Sequence, residues 1–370
     1  MNARHGLVIG KFYPPHAGHH LLIRTAAALS ERLSVVVAGS HVESISPSLR
    51  ASWLREAHPE RHVDVVATWD DHRIDMRDDA VWNAHVAVFR DAAASVNPDP
   101  IDVVFTSEAY GEELARRLGA RHVLVDPDRG LEPVSGTAVR ADPSAYWDSL
   151  TAPVRAHLAL RVAIVGAEST GKTTLAAELA SRLRARGGSF GLVRWVPEYG
   201  RQRTIDKLAE ARARGRMVGG VVPDVADLVW DEADFVDVAT TQNRWEEAAA
   251  RVGGPVLICD TDAFATGVWH ERYRGERSAA VEGLAAAAQL TLLTHPDDVP
   301  FVQDGLRDGE RIRHQMTSRF SERLAADGRR WRLLRGDQEA RVQAALSEID
   351  QVLAGGSGLA APLPERRASP

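Results

Sequence analysis

The 370-residue chain carries 45 Lys and Arg against 51 Asp and Glu, a formal net charge of −6, and is 44% hydrophobic and 26% charged. This is the balance of a soluble globular protein long enough for two domains, and it argues against a general affinity for nucleic acid or anionic membrane surfaces. The single cysteine, Cys259, excludes an intramolecular disulfide and any cysteine-based zinc cluster. With no apolar stretch of signal-peptide length in MNARHGLVIGKFYPP and no run approaching a membrane span, a cytoplasmic protein is expected.

In chain order, β-type runs at 7–9, 35–38, 63–67, 103–105 and 122–125 alternate with helical patterns at 17–33, 79–94 and 108–118. Such alternation predicts a doubly wound parallel sheet. A fresh strand at 161–165 opens a second series, continued at 192–196, 256–259, 290–293 and 331–334. The reading is therefore two α/β domains, 1–154 and 155–354, and a tail, 355–370, whose Gly, Pro and Ala content predicts disorder.

The first strand runs directly into GKFYPPHAGHH at 10–20. Glycine and proline break the strand, and His16 and His19 fall at the start of the next helix with both rings on one side. Imidazoles at a helix N-terminus suit charge developing on phosphorus. A metal site is the rival reading, but His16-Ala-Gly-His19 has no Asp, Glu or Cys partner at ligand spacing.

The second series begins with GAESTGKTT at 166–174, the P-loop spacing, between the apolar RVAIVG and the helical LAAELASRLRAR. A glycine-rich loop turns successive backbone N–H groups toward phosphate oxygens, and the helix N-terminus adds its positive end. Gly166, Glu168, Ser169, Thr170, Gly171 and Thr174 are the candidate nucleotide ligands, with Lys172 for the β- and γ-phosphates and Thr173 for Mg²⁺. VLICDTD at 256–262 is an apolar strand ending in acids, with Asp260 as the metal-side candidate and Asp262 as its substrate-side neighbour. In VPEYGR, Glu198 is placed to orient a substrate hydroxyl or take its proton, and Tyr199 to stack on a base. An exposed loop acid beside a packed tyrosine fits the same residues. DGLRDGERIR at 304–313 presents Arg307, Arg311 and Arg313 either as a phosphate lid or as a solvated helix start.

The stretch GKFYPPHAGHH resembles the (H/T)xGH signature of the nucleotidyltransferase superfamily, and PVSGTAVRADP at 133–143 resembles that superfamily's second signature, (I/V)SxTxxR. FTSEAYGEELARRLGARHVLVDPDRGLEPVSGTAVRADPSAYW at 105–147 looks like the nicotinamide mononucleotide adenylyltransferases of the bifunctional NadR type. In that family a P-loop ribosylnicotinamide kinase domain follows the transferase, and the second half here carries family-like EYGR, DTD and DGLR segments. The resemblance implies that His16 and His19 contact the triphosphate and stabilise the transferring α-phosphate. It further implies that Gly10, Lys11 and Phe12 line the nucleotide pocket, and that Ser135, Thr137 and Arg140 hold the β- and γ-phosphates. Arg50 in ISPSLRASWLRE resembles a family arginine and is expected to assist phosphate binding. Trp82-Asn83 in VWNAHV looks like the site that stacks on nicotinamide, with Trp53 and Trp69 as rival stackers. Longer family members carry an N-terminal DNA-binding helix-turn-helix; strand one starts here at about residue 6, so neither a repressor role nor a DNA partner is expected.

These readings predict a Rossmann-like HxGH nucleotidyltransferase followed by a P-loop kinase. The kinase would phosphorylate nicotinamide riboside from ATP with Mg²⁺, and the transferase would join the mononucleotide to AMP from a second ATP, giving NAD⁺ and pyrophosphate. The alternatives are an adenylyltransferase for pantetheine phosphate or flavin mononucleotide, and a nucleotide-sensing regulatory protein. The sequence does not set the oligomeric state and leaves a homo-oligomer open.

Overall fold

A computed structural model describes residues 2–75, 77–217, 223–285, 288–302 and 310–366. Contacts divide the chain into two units, Met1–Val154 with Gly356–Pro370, and Arg155–Gly355.

In the first unit β1 (Ala3–Gly10) is followed by α1 (Ala17–Ala28), β2 (Ser30–Gly39), α2 (Pro47–Ala57), β3 (Val63–Trp69), the two-residue β4 (Ile74–Asp75), α3 (Asp79–Ala94), β5 (Val103–Thr106), α4 (Tyr110–Leu118), β6 (Arg121–Leu124) and α5 (Gly136–Ala141). Five strands pair in parallel in the order β3-β2-β1-β5-β6. Both faces of this sheet are covered, which is why its strands read as near-continuous apolar runs. Val8, Val35 and Phe105 pack with Ile23 and Leu54 on one side, while Leu7, Ile9, Val36 and Val104 pack with Trp82, Val86 and Leu114 on the other. The strand order reverses at β1 and β5, and a ligand crevice belongs at the carboxyl ends of the strands there.

Two expectations needed correction. The helix read over 17–33 stops at Ala28, because Ser30 to Leu33 extend as β2 and pair with Ala3 to Gly6 of β1. Gly6 permits that approach: a Cβ there would lie 2.2 Å from Ser30 Oγ. The tail was expected to be disordered, yet its described part folds with the first unit. Ser357 Oγ donates to Arg140 O (2.7 Å), and β12 (Glu365–Arg366) pairs in parallel with β4.

α6 (Ala152–Leu158) leads into the second unit: β7 (Leu160–Val165), α7 (Lys172–Arg184), β8 (Arg194–Val196), α8 (Tyr199–Met217), α9 (Glu232–Val252), β9 (Val256–Asp260), α10 (Ala263–Arg274), α11 (Ala279–Glu282), β10 (Leu290–Thr294), α12 (Arg313–Ala326), β11 (Trp331–Leu334) and α13 (Gln338–Ala354). Its sheet is also parallel, in the order β11-β10-β7-β9-β8. Leu175, Leu179, Val342 and Ile349 cover one face, and Phe264, Val268, Met316 and Phe320 cover the other. The chain thus has an α/β fold with two doubly wound sheets. Among the described residues no helix is long and apolar enough to cross a membrane.

Leu179, fully buried between α7 and the second sheet, supplies a direct test of this packing. Leu179→Ala should cost about 2–5 kcal/mol of stability, read from denaturant unfolding of the second unit.

Candidate functional site

At the carboxyl end of β1 the chain turns through Lys11 to Pro15 and enters α1 with His16 as the extended N-cap (φ −146°, ψ 173°). The His16 and His19 rings stack at 3.7 Å, and Phe12 meets His19 edge-on at 5.0 Å. The Nδ1 atoms of both histidines are buried without a hydrogen-bond partner among the described residues. Burial, with help from Arg129 and Arg140, pushes His16 down to about 3, and burial with neighbouring His16 lowers His19 well below the usual range. Both rings are therefore neutral in the free site. Each keeps one N–H donor and faces a cavity of about 530 Å³.

α5 and the loop before it form the cationic wall of this cavity. Ser135 caps α5 by accepting from Ala138 N (3.1 Å), and Arg140 donates to Tyr13 O (2.7 Å) and Thr137 Oγ1 (3.1 Å). Arg129 donates to Val134 O at 3.0 Å and also lines the cavity. Trp82, Phe89, Tyr110 and Asp70 line the same cavity, as do the acids Glu43, Glu108, Asp126 and Glu132. Asp70 accepts from His72 Nδ1 (2.8 Å) and His85 Nδ1 (2.5 Å). Burial works to raise the Asp70 carboxyl, but those two hydrogen bonds prevail and hold it below its usual range. Arg129 and Arg140 offer cations to an anionic ligand, and Trp82, Phe89 and Tyr110 offer aromatic surface to a flat ring.

The second unit builds its own site at the carboxyl ends of β7 and β9. Gly171 adopts φ +81°, a left-handed conformation that favours glycine, and this lets the P-loop close directly onto α7. Lys172 Nζ donates to Gly166 O (3.2 Å) and Ala167 O (2.9 Å). Thr173 Oγ1 donates to Asp260 Oδ2 (2.5 Å), while Asp260 Oδ1 is buried without a hydrogen-bond partner among the described residues. Burial raises the Asp260 carboxyl, opposed by Lys172. A cavity of about 910 Å³ runs from this loop past Glu198 and Arg201 to an aromatic wall of Trp195, Trp230, Phe235, Trp269 and Tyr273. The Glu198 turn is anchored from behind: Tyr199 N donates to Gln242 Oε1 (3.1 Å), and Gln242 Nε2 donates to Glu246 (3.2 Å).

A family model described as an AAA domain matches residues 161–341. The trifunctional NAD biosynthesis/regulator protein NadR of Escherichia coli K12 is 26% identical over 318 residues, 82% of this chain and 71% of that protein. The protein of the same name from Salmonella typhimurium LT2 is 26% identical over 319 residues, with the same coverage. The chain is thus similar to NadR proteins over most of its length. Two crystal structures share the fold at 20% identity. A NadR protein in complex with NR superposes with a TM-score of 0.65, covering 100% of this chain and 99% of that one. A NadR protein in complex with NAD and AMP-PNP gives 0.66, covering 95% and 96%.

Most sequence-derived candidates line the two cavities. The first holds Gly10, Lys11, Phe12, His16, His19, Trp82, Ser135, Thr137 and Arg140. The second holds Glu168, Ser169, Thr170, Gly171, Lys172, Thr173, Thr174, Glu198 and Asp260. Trp53 and Trp69 do not line the first cavity: Trp53 is buried on α2, and Trp69 is exposed and stacked on His41 at 4.0 Å.

The remaining described candidates stand elsewhere, Gly166 among them: it does not line the second cavity, and its carbonyl accepts from Lys172 Nζ at 3.2 Å. Arg50 is fully buried, ion-paired to Glu43 at 2.7 Å and donating to Lys11 O at 2.5 Å, so it braces the loop instead of facing phosphate. Asn83 lies on the exposed side of α3 and accepts from Arg117 (2.8 Å), since it follows Trp82 by one residue and turns away from the cavity. Tyr199 points outward, its hydroxyl donating to Asp237 (3.3 Å). Asp262 is buried and caps α10 through Ala265 N (2.9 Å). Arg311 is exposed on the short turn Glu310–Ile312, while Arg307 lies outside the described residues. Arg313 is buried and donates to Ser169 O, Pro296 O and Val299 O.

Sequence reasoning missed Arg129, Asp70, His85, Arg201 and the aromatic wall. Arg129 sits in the quoted VDPDRG segment, and Trp269 and Tyr273 are spaced by four on α10; these were the available signals.

Two outcomes follow from the buried groups. Arg50→Ala strands the Glu43 carboxylate and should cost about 3–5 kcal/mol of stability, read by thermal unfolding. His16 is neutral in the fold down to about pH 3 but protonates near 6.5 in the unfolded chain. The unfolded state thus binds the extra proton, and ligand-free stability falls as pH drops from 6.5 toward 3. His16→Gln should flatten that acid limb in denaturant titrations compared at about pH 7 and about pH 4.5.

Proposed function

We propose that the chain is a two-step enzyme of NAD biosynthesis, a ribosylnicotinamide kinase joined to a nicotinamide mononucleotide adenylyltransferase. The observation that carries this reading is the pairing of two phosphate-binding loops, each at the carboxyl end of its own parallel sheet and each facing an aromatic wall across its cavity. A nicotinamide ring is a flat cation in both riboside and mononucleotide, and each aromatic wall offers it a π-face.

In the kinase, Lys172 moves from the loop carbonyls onto the β- and γ-phosphates of ATP. Glu198 orients the riboside 5′-hydroxyl and takes its proton as the new P–O bond forms and ADP leaves. Mg²⁺ fits the pair Thr173 and Asp260, where an unpartnered buried carboxylate oxygen adjoins a hydroxyl. When bound, the ion neutralises charge on the transferring phosphates.

In the transferase, a phosphate oxygen of the mononucleotide attacks the α-phosphorus of ATP in line. The Pα–O bond to the β-phosphate breaks and pyrophosphate leaves. His16 and His19 donate N–H hydrogen bonds to oxygens of the transferring group, Arg129 and Arg140 hold the leaving phosphates, and Trp82 stacks on nicotinamide. The enzyme works in the cytoplasm on small molecules, and its acidic balance gives no basis for DNA as a partner.

Incubation with ATP, Mg²⁺ and nicotinamide riboside, with products read by mass, should yield mononucleotide and then dinucleotide. Lys172→Ala should abolish the first product yet leave adenylylation of supplied mononucleotide nearly intact. His19→Ala should do the reverse, slowing adenylyl transfer by about 10²–10³. Loss of both activities in a folded Lys172→Ala protein would refute the assignment of separate sites.

A further inference from the structure

The segment after α13 lies on the transferase cavity. The Tyr13 hydroxyl, within the GKFYPPHAGHH loop, donates to Ala360 O at 3.0 Å and accepts from Ser44 N at 2.9 Å. Ala360 N in turn donates to Ser44 Oγ (2.8 Å), closing a three-membered hydrogen-bond cycle between loop and segment. Upstream, Ser357 donates to the carbonyl of Arg140, a cationic-wall residue. Downstream, β12 pairs with β4, whose Asp75 also lines the cavity. The segment is therefore moored twice on the cavity wall, beside Tyr13 and Arg140 and again at Asp75. Pro362 and Leu363, which fall between those moorings, face the cavity itself.

We infer that residues 356–366 form a strap that completes the transferase pocket, with Pro362 and Leu363 as substrate-covering residues of a site otherwise built entirely from the first 140 residues. The inference rests on the adenylyl-transfer reading for its substrates. Its physical basis is that Pro362 and Leu363 add apolar surface, from a segment hydrogen-bonded to Tyr13 and Ser44, to a cavity that also holds the polar groups His16, His19, Arg129 and Arg140. A cover of this kind excludes water from the phosphorus centre and strengthens the hydrogen bonds beneath it. The moorings give it a second property. Tyr13 and Arg140 are hydrogen-bonded to each other through the Tyr13 carbonyl, so the strap is attached to the groups that hold the triphosphate. Its position follows whether that end of the pocket is occupied.

The test compares the full chain with a chain stopped after Gly355 and with Leu363→Asp in the full chain. ATP with mononucleotide assays the transferase, and ATP with nicotinamide riboside assays the kinase. The stopped chain should keep kinase turnover and lose roughly tenfold or more in transferase kcat/KM, as expected for removing a buried apolar contact. Leu363→Asp should raise the KM for mononucleotide while kinase kinetics and melting temperature stay put. Transferase kcat/KM within about twofold of the full chain in the stopped chain would overturn the strap. If the stopped chain loses kinase activity as well, Leu363→Asp decides: an unchanged KM overturns it. If the full chain makes no dinucleotide from ATP and mononucleotide, the adenylyl-transfer reading fails by itself. The strap is then judged by amide hydrogen exchange of 357–363 in the full chain, where slower exchange on adding ATP supports it and unchanged exchange overturns it.

Discussion

Guanidinium groups, all but that of Arg140 buried, hold the loops after β1 and β7 by their carbonyl oxygens. A loop that turns its N–H groups toward an anion must turn several carbonyls inward, and each of those needs a donor. Arginine meets the need with a rigid fork of five donors that stays charged when buried. In the first unit Arg50 donates to Lys11 O and Arg140 to Tyr13 O, and the Tyr13 ring lies 5.1 and 5.3 Å from the two guanidinium carbons. In the second, Arg313 donates to Ser169 O and Arg341 to Thr170 O, with further bonds from Arg341 to His295 O and Asp297 O. The braces come from α2, α5, α12 and α13, far from the loops in sequence. Two unrelated loop geometries thus converge on one solution, and the donors meant for the ligand are held still before it arrives.

That division of labour explains what could be read from the chain. Candidate phosphate contacts depend on local backbone geometry, so GKFYPPHAGHH and GAESTGKTT announce themselves within about ten positions. The braces carry no such signature. Arg50 sits in a segment that resembles a phosphate-binding one, and only the fold reveals that its charge is consumed by Glu43 and Lys11 O. The doubly wound sheets were legible because buried parallel strands are apolar on both faces. Helix ends were not: Ser30 to Leu33 satisfy a helical pattern but gain more by pairing with β1. Asp262 and Asn83 failed for a similar reason, since an acid or amide beside a site residue says nothing about which way its own side chain turns.

The first cavity is lined by Arg129 and Arg140 together with several acids, Asp70 and Asp126 among them. Neutral histidines fit beside those arginines. Charged rings stacked at 3.7 Å beside two arginines would repel one another in the empty site. A polyanion bound there would supply negative charge and raise the affinity of both rings for protons, so that its binding and proton uptake would strengthen each other.

The mooring of 356–366 on the first unit also sets an order of events during synthesis. Residues 1–154 leave the ribosome early and contain a full parallel sheet, so they can collapse around it while the second unit is still being translated. For that interval Tyr13 and Ser44 have no Ala360 to bind, and β4 is an unpaired edge. The half of the molecule made first is therefore the last to be finished. Its pocket spends the whole time of translating some two hundred residues open to solvent and to other chains.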